Sequence, residues 1–407
     1  MRDESRQPLD DIRAMERQYV LQTYKRADFV LVGGHGARVL DSEGRSYLDG
    51  VAGIAVNALG YGDPQVVAAI QSAATGLIHV SNLYHSAPQA ELARALVDCS
   101  FADRVFFCNT GTEANEGALK FARKYAREKF GGHKTDIVAF TGSFHGRTMG
   151  ALSVTATEKY REPFEPLVPG VRFVPFNDLA AAEAAISERV CAVIVEPVQG
   201  EGGVYLAGDP FLQGLRAACD RAGALLIMDE IQCGLGRTGQ LWAHQRAGVV
   251  PDIMTIAKPL AGGLPMGAVL MTQAVADVLH PGDHGSTFAA GPLVCQVARV
   301  VLKRVSAPEF LAEVRSKGLQ LAGRLATLAK SCPLVREIRG TGLMWGIECS
   351  VEVAPVIAAG HRHGILVCNA GPNVLRLLPP LIISPAEIDE LVDRLTVALK
   401  EVQQEVA

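Results

Sequence analysis

The chain has 407 residues, 49% of them hydrophobic and 20% charged, a balance that excludes a disordered or collagen-like polymer and allows two to three domains at about 150 residues each. Thirty-nine basic against 43 acidic residues leave a formal charge of −4, so no basic surplus points to nucleic acid or to an anionic membrane surface. Nine dispersed cysteines form no C-x-x-C pair, which reads as reduced thiols in a reducing compartment and not as a disulfide framework or a zinc site.

The first thirty residues carry charges of both signs and no apolar leader core, and no later apolar run is long enough to span a bilayer. A soluble cytosolic protein is expected, or an organellar matrix or stromal protein whose leader has already been removed. Residues 1–50 read as a helix, a strand, a turn at Ser42-Glu43-Gly44-Arg45 and a second strand. The apolar runs 104–109, 136–142, 190–197 and 224–230 read as buried strands, with helices over 112–130 and 210–223 between them. Strands alternating with helices imply βαβ units and a mainly parallel sheet covered on both faces. Residues 300–407 mix amphipathic helices, such as 310–329, with short strands. The expected class is α/β: a large domain over 55–295, and a smaller α+β domain built from an N-terminal segment (1–54) and the C-terminal part (296–407). His361 and His363 have no cysteine partners at metal-ligand spacing and read as surface histidines, so no metal site is expected.

Ligands of open α/β sheets bind beyond the carboxyl ends of the strands, so the chemistry is expected just after each of these strands. Thr110-Gly111-Thr112-Glu113 opens a helix whose free N–H groups suit a phosphate, or else forms a plain cap through Thr112. Phe144-His145-Gly146-Arg147 offers a ring to stack and a guanidinium for a carboxylate, or a core aromatic and a surface ion pair. Asp229 ends a buried strand, where a carboxylate needs a partner, either a cationic ligand atom or an internal group. Lys258 ends an apolar run before a Gly/Pro-rich turn, and is either a desolvated nucleophile or a lysine whose amine reaches water. Together the four loops match what pyridoxal phosphate requires: an amine for its aldehyde, an acid for its ring nitrogen, a stacking ring and a phosphate cradle. Gly234-Leu235-Gly236-Arg237-Thr238-Gly239 spells a dinucleotide fingerprint, but it does not stand directly at a strand–helix turn, and that reading is set aside.

On these motifs, and on FFCNTGTEANEGALKFARK (106–124), EPVQGEGGV (196–204), DEIQCGLGRTG (229–239), AKPLAGGLP (257–265), GDHGSTFA (282–289) and RLLPPL (376–381), the sequence resembles the class III, or ω-type, pyridoxal-phosphate aminotransferases of fold type I. Within them it is most similar to the plant and algal acetylornithine type. The resemblance implies that Lys258 condenses with the cofactor aldehyde and shuttles the proton, and that Asp229 pairs with the ring nitrogen. It implies that Gln232 meets the ring oxygen, that Phe144, with His145 beside it, stacks on the ring, and that Gly111 and Thr112 bind the phosphate. Ser286 and Thr287 would complete the phosphate site from a neighbouring subunit, which makes a homodimer with shared active sites the expected assembly. The run Ala290-Gly291-Pro292 lacks the asparagine common at this turn in the family.

Toward substrate, the resemblance implies that Arg376 holds an α-carboxylate, Arg147 a second carboxylate, and Glu201 masks Arg376 when an ω-amine enters. Glu196 would support this network and Tyr24 would line the pocket. Gly53, where ornithine-type relatives tend to carry an aromatic, would leave room for an acyl group. The implied reaction passes the δ-amino group of N2-acetyl-L-ornithine to 2-oxoglutarate in two half-reactions, as in arginine biosynthesis. Alternatives are ornithine, succinylornithine, 4-aminobutyrate or a carrier-bound lysine precursor as donor, an aminomutase, or a cofactor-binding scaffold without turnover.

Overall fold

The computed structural model describes residues 9–406. Residues 1–8 and 407, which belong to the expected end segments, lie outside the described residues. In chain order the strands are β1 (Leu31–His35), β2 (Arg38–Asp41), β3 (Ser46–Asp49), β4 (Arg104–Cys108), β5 (Asp136–Phe140), β6 (Val171–Val174), β7 (Val190–Val195), β8 (Val198–Gln199), β9 (Tyr205–Leu206), β10 (Leu225–Asp229), β11 (Ile253–Ile256), β12 (Gly267–Met271), β13 (Val335–Thr341), β14 (Met344–Cys349), β15 (Ile365–Leu366), β16 (Cys368–Asn369) and β17 (Val374–Leu377).

A seven-stranded sheet of order β4-β12-β11-β10-β7-β5-β6 forms the centre. It is parallel except for β12, which runs antiparallel to both of its neighbours. The reason its strands are near-continuous apolar runs is visible in their alternation. Ile137, Ala139, Ile194, Leu225 and Ile227 pack on the face covered by the helix Gly111–Phe130. Val138, Phe140, Val193, Leu226 and Met228 pack on the opposite face, under the helix Asp209–Ala222. With both faces buried, both phases of the two-residue repeat must be apolar.

The chain ends meet. β15 pairs in parallel with β3, joining Ile365 to Leu48 and Leu366 to Asp49, in a sheet of order β1-β2-β3-β15. A separate antiparallel sheet, β13-β14-β17-β16, lies in the C-terminal part. The N-terminal region differs from expectation in one respect. The single strand expected before the Ser42 turn is two strands, broken at Gly36 (φ +58°). Glycine adopts that left-handed conformation without a Cβ clash. Among the described residues no helix is long and apolar enough to cross a membrane, and all nine cysteines are free, seven of them buried.

The glycine-rich segment 234–239 forms turns and opens no helix. Its buried Arg237 donates from Nη1 to the carbonyls of Leu343 (3.0 Å) and Pro379 (2.5 Å), so the segment ties the central region to the C-terminal sheet.

Candidate active site

A cavity of about 420 Å³ opens at the carboxyl ends of β4, β5, β7, β10 and β11, within the size range of small-ligand pockets. Lys258, Asp229, Gln232, Phe144, His145, Arg147, Gly111, Thr112 and Glu196 all line it. Five segments separated in sequence are brought together because parallel strands present their ends, and the loops that follow, to one edge of the sheet.

Lys258 stands two residues beyond β11 and opens a single 3-10 turn, Lys258–Ala261. Its φ is +27°, a conformation that L-residues rarely hold and that marks stored backbone strain. Burial is the main effect on its amine and draws the pKa below the ordinary lysine value. The nearby Glu201 and Asp229 carboxylates oppose that shift, and Arg376 adds to it. The free amine, the form that attacks a carbonyl, is thereby favoured.

Asp229 closes β10, and three of its lone-pair directions are occupied by protein donors. Oδ2 accepts from Asn115 Nδ2 at 2.8 Å and meets His145 Nδ1 at 2.7 Å, and Oδ1 accepts from the Ile231 N–H at 3.0 Å. A carboxylate offers about four such directions, which leaves one, on a side chain that faces the cavity. Asn115 is itself fixed, donating to the His145 carbonyl at 2.7 Å and accepting from Thr255 Oγ1 at 2.8 Å. Burial is the largest effect on His145 and works against its protonation, but the hydrogen bond to Asp229 and the charges of Asp229 and Glu196 together outweigh it and raise the imidazole pKa. His145 is thereby held against Asp229.

The helix Gly111–Phe130 aims its N-terminus at the cavity. Its cap is Thr110, whose hydroxyl accepts from the Glu113 N–H at 3.2 Å. Thr112 lies inside the first turn, its Oγ1 2.8 Å from Thr148 Oγ1, so the expectation of Thr112 as the cap is corrected. A Cβ at Gly111 would fall 2.8 Å from Ile231 Cγ2, so only glycine brings this turn so close to the β10 loop. The residues fit pyridoxal phosphate: a helix N-terminus for the phosphate, a buried acid with a spare lone pair for the ring nitrogen, and a desolvated amine for the aldehyde.

Glu196 accepts from the Phe144 N–H (3.1 Å) and the Gly200 N–H (3.3 Å). Burial pushes its carboxyl up to about 7, against the pull of the nearby imidazole. An unfolded glutamate titrates near about 4.3. Between those values the folded chain keeps a proton that the unfolded chain has released, so stability falls as pH rises through that window. Glu196→Gln removes this dependence. The difference in Tm between variant and parent, both cofactor-free, is expected to be more favourable to the variant at pH 8 than at pH 5 by a few degrees. Thermal unfolding at the two pH values checks this, and an equal difference at both contradicts it.

Arg376, 1% exposed on β17, lies behind Gln232. Its Nη1 donates to Glu201 Oε1 at 2.5 Å and to Gln232 Oε1 at 3.0 Å. Burial alone would raise the Glu201 pKa, but the guanidinium holds it below the ordinary value. Arg147 is exposed, its guanidinium 3.5 Å from the centroid of the Tyr160 ring. Five expected site residues do not line the cavity in this single chain: Arg376 and its partner Glu201, which lie behind Gln232, and Tyr24, Ser286 and Thr287. Tyr24 and Thr287 are exposed, and Ser286 reaches the site only through Asn109, whose Nδ2 donates to its Oγ at 2.9 Å. Gly53 sits in a turn where Ala52, Gly53, Ile54 and Ala55 all have positive φ. Since three neighbours with side chains adopt the same conformation, backbone shape alone does not demand glycine there.

Asn115, Thr255 and Tyr160 were missed from the sequence. A signal existed for two of them. Asn115 interrupts the apolar stripe of Ala118, Leu119 and Ala122, and Thr255 is the one polar residue of β11; both are fully buried. Tyr160 carried none.

A family profile described as "Aminotransferase class-III" matches residues 19–399. The chain is 53% identical over 373 residues to the mitochondrial acetylornithine aminotransferase of Alnus glutinosa, covering 90% of this chain and 83% of that protein. It is 46% identical over 410 residues to a succinylornithine transaminase of Yersinia pseudotuberculosis, covering 98% and 99%. The crystal structure of ornithine aminotransferase from Toxoplasma gondii superposes with a TM-score of 0.94 at 33% identity, covering 98% and 97%.

Proposed function

Because the chain belongs to the class III aminotransferases, enzymes that work with pyridoxal phosphate, we propose that it moves the δ-amino group of N2-acetyl-L-ornithine to 2-oxoglutarate. The products are N-acetyl-L-glutamate 5-semialdehyde and L-glutamate, and the place in metabolism is arginine synthesis. When bound, the cofactor supplies an aldehyde that takes up the amine and a protonated ring that draws off the electron pair of the reacting carbon. The chain supplies the rest. Lys258 provides the amine that anchors the aldehyde, and then carries the proton at the reacting carbon. Asp229, steadied by His145 and Asn115, keeps the ring nitrogen charged. Phe144 would bound one face of the ring, Gln232 would meet its oxygen, and Gly111 and Thr112 would hold the phosphate.

The observation that carries this reading is the Glu201–Arg376 pair beside Lys258. The two half-reactions present different groups to one pocket. A 2-oxo acid brings a carboxylate next to its reacting carbon, which calls for a free arginine. An ω-amine brings a methylene there, beside which an unpaired buried cation would be costly. An acid that covers the arginine for one partner and leaves for the other serves both. Arg147 would take the distal carboxylate of either substrate. A glycine at 53, where ornithine-type relatives tend to carry an aromatic, would leave room for the acyl group, and the names of the acetylornithine and succinylornithine relatives support an acylated donor.

Glutamate formation assayed with each amine tests the donor. The kcat/KM for acetylornithine is expected to exceed that for free ornithine by about tenfold or more, and a preference for free ornithine contradicts the assignment. Arg376→Ala is expected to raise the KM for 2-oxoglutarate by about 100-fold, with a much smaller rise for the acetylated amine. Initial-rate kinetics separate the two, and equal rises contradict the switch.

We also infer a homodimer. Thr287 is exposed beside Phe288, which is 71% exposed, and this segment meets the segment that carries the exposed Leu77, Ile78, Leu83 and Tyr84 through the His79–Phe288 ring contact and the bonds of Asn82 to the Ser286 and Ala289 carbonyls. A second copy covering this face would bring Thr287 to the partner's phosphate site. Light scattering on the purified protein tests it, and a monomeric mass with full activity contradicts it.

A further inference from the structure

Arg339 on β13 lies directly across from Gly346 on β14, and Gly346 lies directly across from Arg376 on β17. Residues in register on neighbouring strands project from the same face. The two arginines therefore stand on one face of the sheet with a glycine between them. The turn joining β8 to β9 seats in that gap. A Cβ at Gly346 would lie 3.0 Å from both the Gly203 carbonyl oxygen and the Val204 Cβ.

The turn is gripped on both sides. On one, Arg376 holds Glu201. On the other, Arg339 Nε donates to the Gly203 carbonyl at 2.7 Å, and its guanidinium lies 3.9 Å from the centroid of the Tyr205 ring. Arg339 Nη1 is itself anchored by Glu337 (2.8 Å) and Glu348 (2.7 Å). The β-branched Val204 has a φ of +59°, so the turn holds a conformation that this residue does not favour unaided. The side chain of Arg339 is 9% exposed, whereas that of Glu201 is 33% exposed. The acid thus has room to leave while the base of its turn stays fixed.

We propose that Arg339 is a positioning residue for the Glu201–Arg376 pair: by fixing the turn two residues beyond Glu201, it sets how readily the acid uncovers Arg376 and so balances the enzyme between amine donor and dicarboxylate acceptor. This rests on the switch reading given above. A dicarboxylate must displace Glu201, so its apparent affinity is the intrinsic value reduced by the fraction of molecules in which the arginine is free. Loosening the turn raises that fraction. Arg339 suits the task because one planar fork stacks on a ring, binds a carbonyl and pairs with two acids at once, which an ammonium does not.

The test uses the holoenzyme and glutarate, an unreactive five-carbon dicarboxylate. In R339A glutarate is expected to bind about fivefold more tightly. The donor half-reaction is expected to lose about tenfold in kcat/KM, with the acceptor half-reaction within about twofold. R339K keeps the charge and loses the fork, so it moves in the same direction by less. E201Q tightens glutarate at least as much as R339A does, and R339A adds nothing in the E201Q background. If E201Q leaves glutarate affinity unchanged, the switch reading fails and this inference with it. If E201Q tightens glutarate while R339A weakens it or slows both half-reactions alike, Arg339 is merely structural and only this inference is overturned. Should R339A not fold, Y205L removes the stack alone at a partly exposed position and must tighten glutarate in the same direction; no change overturns the proposal.

Discussion

Lys258→Ala is expected to lower transamination by at least about 10⁴-fold, the scale on which loss of a covalent participant falls, and to remove the absorbance band that the covalent link between lysine and cofactor would give. The expectation follows from position. Burial depresses the pKa of this amine, and the strained backbone at φ +27° sets it at the end of β11, in the same cavity as Asp229. No other lysine lines that cavity, so no neighbour can take its place. Steady-state rates and an absorbance spectrum of the variant check this. A variant that keeps a tenth of parental activity contradicts the assignment.

Asp229→Asn is expected to lower turnover by about 10³-fold while leaving the Lys258 amine able to capture the aldehyde. The amide preserves the shape of the side chain but removes the charge that would hold a protonated ring nitrogen. Removing one partner of a buried ion pair costs about 3–5 kcal/mol, which spans two to four powers of ten in rate. The substitution also turns one of Asp229's acceptor oxygens into a donor, against the Asn115 amide, His145 Nδ1 or the Ile231 N–H that now meet them. Cofactor retention is therefore expected to weaken as well. Single-turnover rates with the amine, beside retention on dialysis, separate the two effects. A loss of less than fivefold in rate contradicts the role given to the carboxylate.

The parts of this architecture that were legible in the sequence are those whose cause is local. Strands β4, β5, β7 and β10 announce themselves because a strand covered on both faces must be apolar at every position, and their observed ends lie within two residues of the runs read as strands. Lys258 and Asp229 stand out in the sequence because a charged group at the end of such a run is out of place unless it has work or a partner. The remainder depends on contacts distant in sequence. Glu201 and Arg376 are 175 residues apart, and nothing in the spacing of either announces the other; their pairing was implied by resemblance alone. The registry that sets Arg339, Gly346 and Arg376 in one row arises from strand pairing across one hairpin, β13 to β14, and one long connection over residues 350–373 that holds a helix and two short strands. The break at Gly36 was hidden because the residues on either side of it belong equally well to one strand. At the helix N-terminus, two threonines two residues apart each suited the cap, and only the hydrogen bond from Glu113 to Thr110 distinguishes them.

The Glu196, Arg376 and Arg339 expectations all concern how the cavity is tuned, and each presupposes that a covalent reaction takes place within it. That presupposition reduces to whether one amine condenses with the cofactor aldehyde. Borohydride reduction of the holoprotein, followed by peptide mapping, addresses it most directly. The account predicts a reduced pyridoxyl group on the peptide containing Lys258 and on no other. An unmodified Lys258 peptide, or an adduct carried by a different lysine, would contradict it.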